Sequence, residues 1–193
     1  DWSWSRGLGD VYKRQDMAQA VQDITGAAYG SAGERCMALS TVIAVGDHTG
    51  DRFIEAMSDE LGKLNVGIST DPSADYGPVV TAAHKQRIKD YIQMGVDEGA
   101  DLVVDGREFT LQGYENGFYV GPTLFDWVKP TMRSYQDEIF GPVLQVLRED
   151  TFESALELPS KHQYGNGVAI FTRSGGAARE FAQRVNVGMV GIN

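Results

Sequence analysis

The chain has 193 residues, of which 42% are hydrophobic and 23% charged, and its formal net charge is −10. That length serves one domain or part of a larger one, and the composition is ordinary for a globular protein. The acidic chain has no basic stripe for nucleic acid or an anionic membrane surface, and no apolar run nears the ~18 residues that span a bilayer, so neither partner is expected.

Residues 1–15 do not match the rest of the chain. They hold Trp2 and Trp4, show no clear helical or strand period, and carry +1 against −11 for the remainder. They read as a foreign or disordered tail ahead of a catalytic portion, residues 16–193. Residues 16–28 have a helical period, with Val21, Ile24 and Ala28 on one face and Asp16 as N-cap. The small residues Gly30, Ser31, Ala32 and Gly33 then lead into Glu34-Arg35-Cys36. Residues 37–45 read as a strand through the β-branched Thr41, Val42, Ile43 and Val45. Residues 51–64 form a helix through Ile54, Met57, Leu61 and Leu64, and residues 69–78 a loop rich in turn residues.

A helix follows over residues 81–95, with Ile88, Ile92 and Met94 apolar, then a short buried strand over 102–104 and a turn over 113–117. Strands are predicted over 122–127 and 143–147, a short helix over 152–158, a buried strand over 168–171 and a helix over 177–185. Residues 189–192 have the character of a core strand with nothing to close it, which leads to the expectation of an incomplete domain. The alternation of strands and helices predicts an α/β fold with a largely parallel sheet and flanking helices.

Cys36 is the only cysteine, so the chain has neither an internal disulfide nor a multi-cysteine metal site, which fits a reducing compartment. His48, His84 and His162 have no ligand spacing, and no metal is expected. A lone cysteine is more often a small buried residue than a nucleophile. Its neighbours shift that balance: the adjacent cation of Arg35 favours a thiolate, the small residues before it leave room for a substrate, and a thiolate attacks carbonyl carbon readily. A Cys/His hydrolase using His84 or His162 is a weaker alternative. In Glu138-Ile139-Phe140-Gly141-Pro142-Val143, a carboxylate that can accept from two vicinal hydroxyls precedes an aromatic ring by two residues. A helix end with a core Phe and a turn explains that stretch equally well on its own. No G-x-G-x-x-G fingerprint is present.

The motifs taken in order resemble the aldehyde dehydrogenase superfamily. They are Gly33-Glu34-Arg35-Cys36, Gly77-Pro78, Gly121-Pro122-Thr123-Leu124, Glu138 to Val143, Tyr164-Gly165 leading to Ile170-Phe171-Thr172, and Gly188 with Asn193. Within it, residues 29–40, Gly113 to Gly117 and Tyr164-Gly165-Asn166-Gly167 are similar to the CoA-acylating methylmalonate-semialdehyde (malonate-semialdehyde) dehydrogenases. The resemblance implies Cys36 as nucleophile, its backbone N–H as oxyanion donor, and Arg35 as the contact for the substrate carboxylate. It implies NAD as cofactor, with Glu138 on the nicotinamide ribose and Phe140 near the nicotinamide, coenzyme A as co-substrate, and a mainly structural Asn193. It further implies a homo-oligomer in the bacterial cytoplasm or, alternatively, the mitochondrial matrix, and a cofactor-binding domain and oligomerisation segment outside this chain. Competing expectations are another aldehyde dehydrogenase, for instance one for succinate semialdehyde, and a non-catalytic protein whose Cys36 is a redox sensor or core residue.

Overall fold

In the computed structural model, residues 13–193 are described, so most of the predicted tail lies outside them. The first helix, α1, runs from Lys13 to Tyr29 and buries Met17, Ala20, Val21, Ile24 and Ala28, a stripe at helical spacing. It starts three residues before Asp16, so Asp16 lies inside the helix and is not its N-cap.

The chain then passes through a short 3-10 turn, Gly30–Gly33, to β1 (Thr41–Val45) and α2 (Asp47–Leu61). Helix α2 begins four residues earlier than its apolar period suggests, and its core face is Phe53, Met57 and Leu61. Helix α3 (Ala82–Asp97) is capped by Thr81, whose hydroxyl accepts from His84 N at 3.1 Å, and it buries Ile88, Ile92 and Gly95. The remaining elements are β2 (Asp101–Val104), β3 (Thr123–Asp126), the one-turn α4 (Arg133–Gln136), β4 (Val143–Glu149), α5 (Phe152–Lys161), β5 (Gly167–Ile170), α6 (Gly175–Arg184) and β6 (Met189–Ile192). Among the described residues, no helix is long and apolar enough to cross a membrane.

One sheet has the order β1-β4-β3-β2. Strands β1, β4 and β3 are parallel, with Thr41 opposite Gln145 and Thr123 opposite Val143, and β2 joins antiparallel at the edge. The parallel strands carry near-continuous apolar runs because both their faces are covered; all four residues of β3 are buried. The one polar residue on the buried stretch of β4, Gln145, donates to Ser134 O at 2.8 Å, so α4 supplies its partner. Strands β5 and β6 pair with each other in a separate parallel ribbon.

Three expectations of burial are corrected. Strand β2 is an edge strand, with Asp101 and Val103 exposed. In β5 only Ile170 is buried, and all four residues of β6 are exposed among the described residues. Apolar composition reports that a segment can be buried; the number of neighbours it finds decides whether it is.

At the far end of the sheet, Arg148 of β4 forms a bidentate pair with Asp126 (Nε to Oδ1 3.0 Å, Nη2 to Oδ2 2.6 Å) and reaches Asp51 of α2 at 2.7 Å. Its guanidinium lies 4.3 Å from the Trp127 ring centroid. The Arg148 and Asp126 side chains are 5% and 7% exposed. Removing one partner of such a pair strands the other in a poor solvent, so Asp126→Ala should lower the unfolding free energy by roughly 3–5 kcal/mol in urea titration.

Candidate active site

Cys36 is exposed, as a nucleophile requires and a core residue does not. It sits where the chain leaves α1. Ser31 (φ 55°, ψ 36°), Ala32 (φ 55°, ψ 27°) and Gly33 (φ 69°) form three consecutive left-handed residues. Only the third is a glycine, so the other two carry roughly 1–2 kcal/mol of strain each. Position 33 admits no other residue, because an added Cβ would overlap the Gly141 carbonyl and lie 3.0 Å from Ala28 O. Gly141 in turn rests on Ile88, whose Cδ1 would be 2.6 Å from a Cβ there. The turn before Cys36 is thereby pressed onto the Glu138 to Pro142 stretch.

From Glu34 onward the turn is held by side chains as well. Ala38 N donates to Arg35 O at 2.9 Å, closing a β-turn with Cys36 and Met37 at its centre, and Leu39 N donates to Ala27 O at 3.0 Å. Arg35 is exposed, yet its Nη2 donates to Gly26 O at 2.7 Å and Ala27 O at 2.9 Å, satisfying carbonyls at the end of α1. With both Nη2 hydrogens engaged in this way, the one N–H of Nε and the two of Nη1 remain for another acceptor. The Cys36 N–H donates to nothing among the described residues.

Glu34 and His84 form a pair that periodicity did not reveal. His84 Nε2 faces Phe140 O at 2.6 Å and Glu34 Oε1 at 3.3 Å, with side-chain exposures of 16% for His84 and 10% for Glu34. Both facing atoms are acceptors, so Nε2 carries a hydrogen. Glu34 Oε1 also accepts from Val80 N at 3.4 Å, which ties the segment after Gly77-Pro78 to the same turn. With its Nε2 engaged in this way, His84 serves as a brace between the Cys36 turn and the Phe140 loop. His162, the other histidine weighed as a base, faces Tyr135 O at 3.0 Å.

Phe140 is half-buried and left-handed (φ 58°), held by His84 on its carbonyl. Glu138 is exposed; its backbone carbonyl accepts from Arg87 Nη2 at 2.8 Å, and its carboxylate has no partner among the described residues. Asn166 donates through Nδ2 to Cys36 O at 2.9 Å, a contact across 130 residues. Gly167 packs on Met37, since a Cβ there would meet Met37 Cε at 2.7 Å. Asn193 (φ 55°) is fastened to Thr172, accepting from its N at 2.8 Å and donating to its O at 3.1 Å. It stands at the carboxyl end of the β5–β6 pair, opposite the end where Asn166 meets Cys36. The structure thus brings Arg35, Cys36, Glu34, Phe140, His84 and Asn166 into one hydrogen-bonded constellation and holds Asn193 apart as a strand-end fastener.

Two further bonds set the floor of this region. Tyr29 O–H donates to Thr123 O at 2.8 Å and Tyr76 O–H to Val120 O at 3.0 Å. Burial pushes the Tyr29 phenol well above its usual range, so it stays a neutral donor at any ordinary pH.

Residues 10–193 match the aldehyde dehydrogenase family. The malonate-semialdehyde dehydrogenase of Pseudomonas aeruginosa is 49% identical over 178 residues, covering 92% of this chain and 36% of that protein. The mouse mitochondrial methylmalonate-semialdehyde/malonate-semialdehyde dehydrogenase (acylating) is 43% identical over 189 residues, covering 98% and 35%. A Sinorhizobium meliloti relative solved in complex with NAD has a TM-score of 0.90 and 55% identity, covering 92% of this chain and 36% of that one. The chain belongs to the aldehyde dehydrogenase family, and it spans about a third of the length of the curated relatives it matches.

Gly33→Ala combines a left-handed conformation with a clash against a backbone carbonyl. It should lower the unfolding free energy by at least about 2 kcal/mol, or prevent soluble accumulation, as read by thermal melting beside the unaltered protein.

Proposed function

We propose that this chain is the nucleophile-bearing part of an NAD-dependent, CoA-acylating dehydrogenase. It would convert methylmalonate or malonate semialdehyde to propionyl-CoA or acetyl-CoA. The observation that carries the reading is the exposed Cys36 at the centre of a fastened β-turn that directly follows the strained Ser31–Gly33 segment. The relatives named for this activity, similar over nearly the whole chain, support it.

The Cys36 thiolate attacks the semialdehyde carbonyl carbon and forms a thiohemiacetal. The Cys36 N–H, free of partners among the described residues, is available to donate to the developing oxyanion. The acyl group then rests on Cys36 as a thioester until the thiol of coenzyme A takes it, with carbon dioxide lost. The residues present fit NAD: the Glu138 carboxylate has both oxygens available for vicinal ribose hydroxyls, and the half-buried Phe140 ring offers a flat face. NAD, when bound, supplies the oxidation by accepting a hydride. Its presence in the Sinorhizobium meliloti relative supports this assignment.

Arg35 is the proposed contact for the substrate carboxylate, through its uncommitted Nη1 and Nε. A charge-assisted hydrogen bond of roughly 1.5–3 kcal/mol implies that Arg35→Leu raises KM for a carboxylated semialdehyde on the order of 10-fold or more. The KM for an uncharged aldehyde should rise less, because only the loss of the Arg35 bonds to Gly26 O and Ala27 O reaches it. The commitment of Arg35 Nη2 to α1 favours, as a second reading, a family member whose substrate needs no cation there. Equal KM changes for charged and uncharged aldehydes would select that second reading.

The relatives extend well beyond the matched stretch, and we assign the proposed activity to a longer polypeptide of their length; that it works as a homo-oligomer is part of the same proposal. The purified 193-residue chain with NAD, coenzyme A and semialdehyde is expected to form no NADH. In the full-length protein, NADH forms, and Cys36→Ala lowers kcat at least roughly a thousand-fold.

A further inference from the structure

The Cys36 turn has a soft joint at its centre. In a β-turn closed by Ala38 N on Arg35 O, the peptide between Cys36 and Met37 is the unit that rotates when the turn changes type. Neither Cys36 nor Met37 has positive φ, so the turn is of type I. The alternative with that peptide reversed, type II, needs positive φ at Met37, which a non-glycine residue resists but does not forbid. The hydrogen bond from Asn166 Nδ2 to Cys36 O, at 2.9 Å, grips the rotating unit itself. The Met37 N–H on the opposite edge of this planar unit donates to nothing among the described residues, so the type I orientation draws no fastening from that side.

We infer that Asn166 is a positioning residue for catalysis: its amide locks the Cys36–Met37 peptide in one of two orientations and so fixes which way the Cys36 carbonyl dipole faces beside the sulfur. The inference rests on the proposed function. The surroundings of Asn166 suit the task. It lies between Gly165 and Gly167 at the start of β5, Gly188 N donates to Gly165 O at 2.8 Å, and Gly167 leaves the room in which Met37 packs. Asn166 itself is exposed, so its amide can be changed without opening the core.

The test uses the full-length enzyme with Asn166→Ala and with Asn166→Asp, which keeps the shape but replaces the donor by an acceptor. Each should lower kcat roughly 3- to 10-fold, the size of one lost hydrogen bond, with the KM for semialdehyde within about 2-fold. Asp should be the more damaging, because its carboxylate repels the Cys36 carbonyl. Iodoacetamide alkylation of Cys36, followed on its own peptide by mass spectrometry, should slow by a similar factor while the thermal midpoint holds. Unchanged kcat and unchanged alkylation in both variants would overturn the inference. If the unaltered enzyme forms no NADH, the functional reading has failed instead, and the alkylation rates alone decide whether Asn166 tunes the thiol through the Cys36 carbonyl.

Discussion

The site depends on one close approach of two backbones, Gly33 against the Gly141 carbonyl. Neither segment can hold its place alone. The first is a left-handed turn off the end of α1, and the second is the entry to β4. Pressed together, with Ile88 of α3 behind Gly141, they fix the position of Cys36 relative to the Phe140 loop. A side chain at either glycine would part the two segments by displacing carbonyl or core.

Strain accumulates around that contact. Of the five non-glycine residues with positive φ among the described residues, Ser31, Ala32, Phe140 and Asn193 belong to the motifs of the site or its fastener. Such conformations cost roughly 1–3 kcal/mol each and persist only where surrounding bonds over-determine them. Those bonds are present here: His84 on Phe140 O, Arg35 on the end of α1, Glu34 on Val80, and the double bond of Asn193 with Thr172. Arg35 therefore has a structural duty alongside the one its charge suggests. A guanidinium that closes a helix end is itself held still, and a still cation makes a better-defined contact than a free one.

Much of the architecture was legible in the residues. The β-branched run 41–45 and the apolar run 143–147 are strands that pair in parallel and have both faces covered by flanking helices. Cys36, Glu138 and Phe140 were legible as candidates from their residue types and order. The partnerships were not. Period and spacing report which residues share a face within one element; they say nothing of Asn166 meeting Cys36 across 130 residues, or of His84 meeting Glu34. The only hint of the first was the pair of glycines flanking Asn166, which mark a close approach without naming its target. The exposure of β6 and the edge position of β2 were hidden for a related reason, since apolar character does not count neighbours.

The placement of the site on the sheet runs against the usual habit of parallel α/β folds, in which ligands bind beyond the carboxyl ends of the strands. Here the Cys36 turn precedes β1, Gly121-Pro122 precedes β3 and Gly141-Pro142 precedes β4, so the constellation lies at the amino ends. The carboxyl ends are occupied. Asp126 closes β3, Arg148 lies at the end of β4, Asp51 comes from the helix after β1, and Trp127 covers the guanidinium. That ion cluster joins β3, β4 and α2 at the end of the sheet opposite Cys36. The sheet is thus braced by charge at one end, which leaves the other end free for a turn whose conformation is costly to hold.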